Sequence, residues 1–149
     1  MTEEESGEQA EECGEDKEMA HQEWPEELDA LKAAGEYHTL LLETDEVRVL
    51  STRIPVGVTV PVHTHRWPGV YYIQSWSHFV RRDGDGNVLL DTRGGAGTKP
   101  GTAVWTEPLG PHSVENVGEK EIRIIAVEVK GSARASLDGT RVFGRLAER

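Results

Sequence analysis

The sequence predicts an all-β domain, a sandwich or closed barrel, behind an acidic tail and a short helix. Three observations carry this. From residue 36 onward the chain falls into short segments rich in Val, Ile, Thr and aromatics, the residues that suit a pleated, half-buried surface. Glycine, proline, Asp and Asn clusters separate them. The segments recur at short, regular spacing, as strands of sandwiches and barrels do.

The elements follow in order. Residues 1–22 combine dense glutamate with almost no large apolar groups, too little burial to offset the entropy of ordering, and read as a disordered acidic tail. Residues 23–35 read as a helical lead-in: Pro25 starts it, Leu28, Leu31 and Ala34 supply an apolar face, and Gly35 ends it. Residues 36–132 form the barrel, with strands expected in "YHTLLLE", "VRVLSTRIPV", "VTVPVHTH", "GVYYIQSW", "HFVRRD", "NVLLDTR", "TAVWTE", "HSVENV" and "IRIIAVEVK". Asp83-Gly84-Asp85-Gly86-Asn87 is the clearest hairpin turn, with Gly94 to Gly97, Pro100-Gly101 and Gly118-Glu119-Lys120 as further connections. Residues 133–149 read as a C-terminal extension, strand, short helix or loose end.

Composition narrows the function. A chain of 149 residues suits one domain with one core. Of the 27 acidic residues thirteen lie in the first 30 positions beside only Lys17, so the net charge of -11 belongs to the tail and the barrel is close to neutral. A nucleic-acid surface, which needs clustered Lys and Arg, is not expected. The single cysteine, Cys13, has no partner for a disulfide. The start of the chain lacks the features of a secretory signal and no apolar run approaches the ~18 residues of a membrane helix, so a cytoplasmic protein without membrane contact is expected.

In "PVHTHRWPGVYYIQSW", His63 and His65 stand one residue apart on an expected strand, where side chains two apart share a face and can share a metal ion. A third ligand must come from another strand, and His112 in "EPLGPHSVEN" opens one. Neutral imidazole suits Zn, Fe, Ni and Cu. These residues resemble the cupins. Their first motif, G-x5-H-x-H-x3,4-E-x6-G, is matched at its opening by Gly57, His63 and His65; their second, G-x5-P-x-G-x2-H-x3-N, by Gly101, His112 and Asn116, with Pro108 and Gly110 displaced by one or two positions. The resemblance implies a double-stranded β-helix, a jelly-roll barrel of RmlC-like type, with His63, His65 and His112 as metal ligands. The family glutamate does not carry over: its place holds Gly69 or Val70, and the motif's closing glycine reads Trp76 or Ser77. Without the carboxylate a coordination position is left open, as catalysis at a metal requires. Some cupin dioxygenases, the thiol dioxygenases among them, have such an all-histidine site, which makes iron the first expectation and Zn, Ni, Mn or Cu the alternatives.

Parity along the next strand sets the neighbours. If Gly69 takes the glutamate position, Tyr71 and Ile73 face inward; if Val70 does, Tyr72 and Gln74 do. Tyr71 and Tyr72 are therefore the candidate catalytic hydroxyls, and Trp67, Gln74 and Trp105 the candidate pocket residues. His78 reads as a surface or core residue, and His21 and His38 as structural or solvated. The expected function is a metal-dependent oxidoreductase of dioxygenase type acting on a small molecule. The alternatives are a non-catalytic ligand- or metal-binding cupin, and a sugar-type isomerase or epimerase with a histidine base and a tyrosine acid. Pairing of strand edges makes a homodimer the expected assembly, through "IRIIAVEVK" or residues 36–54.

Overall fold

Along Val47–Ile54 the side chains of Arg48, Leu50, Thr52 and Ile54 are buried and every other one turns outward, the period-2 pattern of a strand with one face in a core. The computed structural model describes residues 24–131, so the acidic tail with Cys13 and the C-terminal extension lie outside the described residues. Nine strands are seen among them: β1 His38–Glu43, β2 Val47–Ile54, β3 Thr59–His65, β4 Gly69–Ser75, β5 Phe79–Asp83, β6 Val88–Asp91, β7 Ala103–Thr106, β8 Leu109–Asn116 and β9 Ile122–Val129. Each corresponds to one of the sequence-predicted segments. They form two antiparallel sheets, one in the order β1-β2-β9-β4-β7 and the other β3-β8-β5-β6.

The one or two helical turns expected between Pro25 and Gly35 are present, in two pieces. A 3-10 turn, Glu26–Leu28, is followed by one turn of α-helix, α1, Ala30–Ala33. Asp29 between them takes an extended conformation (φ -55°, ψ 142°), and its carboxylate accepts from the Leu31 amide at 3.0 Å, an N-cap that starts the second piece. Its backbone also bridges to Thr64 of β3, which ties α1 to the four-stranded sheet.

The apolar core lies between the sheets, where Ile54 and Ile122 of one sheet pack with Val60 of the other and with Ala34. Among the described residues no helix is long and apolar enough to cross a membrane. The turns obey their sequences: in the β5–β6 hairpin the Asp83 carboxylate accepts from the amides of Asp85 and Asn87, both at 2.9 Å, and Gly86 takes φ 92°. Gly57 and Gly101, the opening glycines of the two motifs, have φ of 81° and 89°, a region open mainly to glycine.

Asn116, the last residue of β8, has the same kind of reason. It is 1 % exposed and fully used: Nδ2 donates to the carbonyls of Ile54 and Lys120 at 2.9 and 2.8 Å, and Oδ1 accepts from Ser77 Oγ and the Gly118 amide, both at 3.0 Å. It thus clamps strands of both sheets and the turn into β9. An Asn116→Asp change keeps the shape but faces two carbonyl oxygens with an acceptor. By the cost of leaving buried polar groups unpaired, about 1–3 kcal/mol each, this variant is expected to lose about 2–6 kcal/mol in urea unfolding. An unchanged midpoint would refute the clamp.

Candidate metal centre

The cavity of about 90 Å3 between the two sheets is lined by apolar residues, Ile54, Val60, Phe79, Val114, Ile122 and Ile124, and by His38, His63, His65 and His112. His63 and His65 project together from β3, as their spacing predicts, and His63 pairs across the ladder with His112 of β8. Their rings lie close: centroids of His63 and His112 are 4.4 Å apart, of His63 and His65 5.0 Å, and of His65 and His112 5.8 Å. The fourth ring belongs to His38, which opens β1 from the opposite sheet and stands 4.8 Å from His63 and 5.3 Å from His65. Ligand atoms of His38, His63 and His65 lie within 4.8 Å of one another, so these three can hold a metal ion. The sequence reading of His38 as structural or solvated is corrected here: it is 4 % exposed and part of the cluster.

The tautomers follow from the partners. The Nδ1 atoms of His38, His63 and His112 donate to the backbone carbonyls of Ala34, Pro61 and Gly110 at 2.9, 2.7 and 2.7 Å, and that of His65 to the carboxylate of Glu128 at 2.8 Å. Every one of these partners can only accept, so each Nδ1 carries the proton and each Nε2 keeps its lone pair. Metal-binding histidines are oriented in this way, by a carbonyl or carboxylate behind the ring. Burial, with the positive potential of the neighbouring rings, pulls the pKa of His63 down to about 2, and burial chiefly pulls His65 and His112 down to about 3; His38 is lowered for the same reason. Three of these neutral imidazoles, His38, His63 and His65, bring ligand atoms close enough together to hold a divalent ion, and His112 stands beside them with its ring 4.4 Å from that of His63.

Gly69 occupies the family's glutamate position on the inward face of β4 because nothing larger fits. A Cβ there would overlap the Val127 carbonyl oxygen and stand 2.9 Å from Glu128 Cα. Glu128, the register partner of Gly69 on β9, brings a carboxylate to the site from behind. It is fully buried, and its two oxygens accept from His65 and from Arg48 Nε at 2.7 Å. Arg48 also makes a bidentate pair with Asp29, both contacts at 3.0 Å. Burial pushes Glu128 up, and Arg48 pulls against it. Burial pushes Asp29 up as well, yet Arg48 and the Leu31 amide leave it below the usual carboxylate range.

The parity alternatives resolve toward Gly69, Tyr71 and Ile73. Tyr71 lines the cavity, with its ring 6.0 Å from His65 and its hydroxyl buried without a hydrogen-bond partner among the described residues. Tyr72 is 46 % exposed and Gln74 also turns outward. Trp105 pairs with Val70 on the outer face and is 53 % exposed, and Trp67 lies beyond the cavity, 5.0 Å over the Arg48 guanidinium. Tyr72, Gln74, Trp105 and Trp67 are therefore not brought to the cavity. Arg81 of β5 lines it instead.

The four depressed histidines tie stability to pH. An unfolded chain takes up protons near pH 6.5 that the native site refuses, so stability is complete above about 6.5 and falls as the pH drops toward 3, by up to about 1.4 kcal/mol per pH unit for each histidine. The raised Glu128 opposes this with one group against four. Urea midpoints are expected to fall steadily from pH 7 to 4.5, less steeply in a His112→Gln variant; a flat profile would show that these rings are not buried neutral.

Compared with models of known protein families and with curated proteins, the chain matches none. Among solved structures it is similar to a cupin domain from Bordetella pertussis Tohama I, at 18% identity and a TM-score of 0.52 over 63% of this chain and 92% of that one. It is also similar to an uncharacterized conserved protein with a double-stranded β-helix domain from Klebsiella pneumoniae, at 21% identity and a TM-score of 0.45 over 64% and 77% of the two chains. The architecture of two antiparallel sheets around a buried cavity, together with the Bordetella likeness, identifies the fold as that of the cupins.

Proposed function

We propose that the protein is a metal-dependent oxidoreductase of dioxygenase type that acts on a small molecule, with iron held by His38, His63, His65 and His112. The observation that carries this is the donor set: four neutral imidazoles with committed Nδ1 protons, and no carboxylate among the lining residues. A ferrous ion at such a site would supply open coordination positions and the one-electron chemistry that dioxygenation needs.

The chain's own residues do the rest. Glu128 fixes the ring of His65 and raises its basicity through the Nδ1 proton. Tyr71 stays protonated, because burial and then the charge of Glu128 push its pKa up, and its free hydroxyl can donate to an oxygen atom of the substrate. Ile54, Phe79, Ile122 and Ile124 give the lining its apolar part and accept the apolar part of a ligand. The isomerase alternative is not supported: with conjugate acids at about 2 and 3, His63 and His65 are too weak as general bases at neutral pH.

A cytoplasmic homodimer belongs to the same proposal. Leu40, Leu41 and Leu42 of the edge strand β1 are 44 %, 54 % and 53 % exposed, an apolar edge that a second copy would cover.

Elemental analysis of protein purified without a tag or chelator tests the metal, and oxygen uptake after anaerobic loading with Fe(II) tests the chemistry. About one equivalent of metal per chain is expected, absent in a His63→Ala variant, and bound about 10–100-fold more weakly in Glu128→Gln. A chain that neither holds nor takes up metal, and consumes no oxygen with any small substrate tried, would end the proposal.

A further inference from the structure

Two adjacent arginines on β5 have opposite fates. Arg82 points away from the cavity and pairs with Glu115 of β8 at 3.0 Å. Arg81 points into the cavity, and among the described residues it has neither a hydrogen bond nor an ion pair. Its guanidinium stands 5.7 Å from the ring of Phe79, and its Nε is buried without a partner. Arg81 is half-buried, and a partly desolvated cation without a counter-charge is uncommon in folded proteins. Arg48, which is buried, has both carboxylates it needs.

Arg81 is also the one lining residue with a full charge, since the four histidines are neutral and Glu128 and Asp29 lie behind the wall. It is near enough to the cluster that its charge helps depress both His65 and His112. On β4 in the other sheet, the Tyr71 hydroxyl is the second buried polar group of the cavity left without a partner. One guanidinium and one hydroxyl, both donors and both unused, thus share a small cavity with the histidine cluster.

We infer that Arg81 and Tyr71 form an anchoring subsite for the carboxylate group of a small ligand, whose remaining atoms face the histidines. The planar fork of arginine matches the two oxygens of a carboxylate, and the phenol adds a third donor. A tetrahedral phosphate would leave acceptors unmatched on this wall. A cavity of about 90 Å3 limits the ligand to a few non-hydrogen atoms beyond the carboxylate. An anion also balances a divalent cation that no protein carboxylate touches. This deepens the proposed function by naming a substrate class, and rests on it for the role of the metal but not for the anchoring.

The test therefore begins with the metal-free, full-length chain. Glycolate and 3-hydroxypropionate are titrated against their neutral amides, following the melting temperature and the Arg81 Nε–H resonance, which is assigned by its loss in Arg81→Gln. Saturable binding of at least one carboxylate, with a shifted Nε–H signal, is expected, weakened about tenfold or more for the amide and for Arg81→Gln, and weakened less for Tyr71→Phe. Because Arg81→Gln removes a half-buried charge that has no counter-charge among the described residues, it is expected to melt no lower than the wild type without ligand. No binding by either carboxylate, equal binding by the amides, or unchanged binding in Arg81→Gln would overturn the inference. Carboxylate binding by a chain that takes up no iron would sink the dioxygenase proposal and leave the subsite standing; iron uptake without carboxylate binding would do the reverse.

Discussion

The buried carboxylate of Glu128 is the constraint on which the site depends. It has no exposure, and a charge in that position is tolerable only with its hydrogen bonds made. Arg48 and His65 make them, and Arg48 in turn holds Asp29. Asp29 caps α1, the Ala34 carbonyl after α1 accepts the Nδ1 proton of His38, and His38 faces His65 across the cavity. The contacts close a circuit: one carboxylate fixes His65 directly and His38 by way of a single helical turn. Removing either partner of the Arg48–Glu128 pair would strand a buried charge, at a cost of about 3–5 kcal/mol. This also explains why so short a helix persists. Alone, a single turn would not form in water.

Much of the fold, though not the Glu128 circuit, was legible in the sequence, because the strands obey a period of two and the turns use residues with few alternatives. His63, His65 and His112 stand out by spacing, and Gly57, Gly101 and Asn116 mark positions that the backbone and the buried amide dictate. His38 carries no such mark. It opens a strand whose other residues are exposed, and only the packing of α1 behind it turns its ring inward. The face of β4 could be narrowed to two registers, but choosing between them required the close approach of β9 to Gly69. Trp67, Gln74, Trp105 and Tyr72 illustrate the limit of reading aromatic or polar residues near a motif as pocket lining: parity and loop direction place them outside. Arg81 was hidden by its neighbour, since two arginines before a hairpin read as solvated whether or not one points inward.

The exchange between β4 and β9 gives a physical account of the departure from the cupin pattern. In the family motif a glutamate side chain from the position of Gly69 would reach the metal. Here the backbones of β4 and β9 approach until no side chain fits, and the carboxylate comes from the facing residue, Glu128. From there it meets Nδ1 of His65 rather than the cavity. The acid thereby stands behind the His65 ring rather than in the cavity lining, and His38 stands among the inward donors.

That move changes the electrostatics of the cavity. Glu128 and Asp29 outnumber Arg48 behind His65, so a net negative charge backs that wall, while Arg81 puts an uncompensated positive charge in the lining itself. In a small cavity of low dielectric both are felt strongly. A cation is drawn to the imidazoles backed by the acids, and an anion to the guanidinium. A ligand that brings a carboxylate to Arg81 and a donor atom to a metal would neutralise both ends at once, and neither a neutral ligand nor a bare metal ion does so alone. The lining without a carboxylate and the guanidinium without a counter-charge are thus two sides of one arrangement, with the acids placed behind the wall.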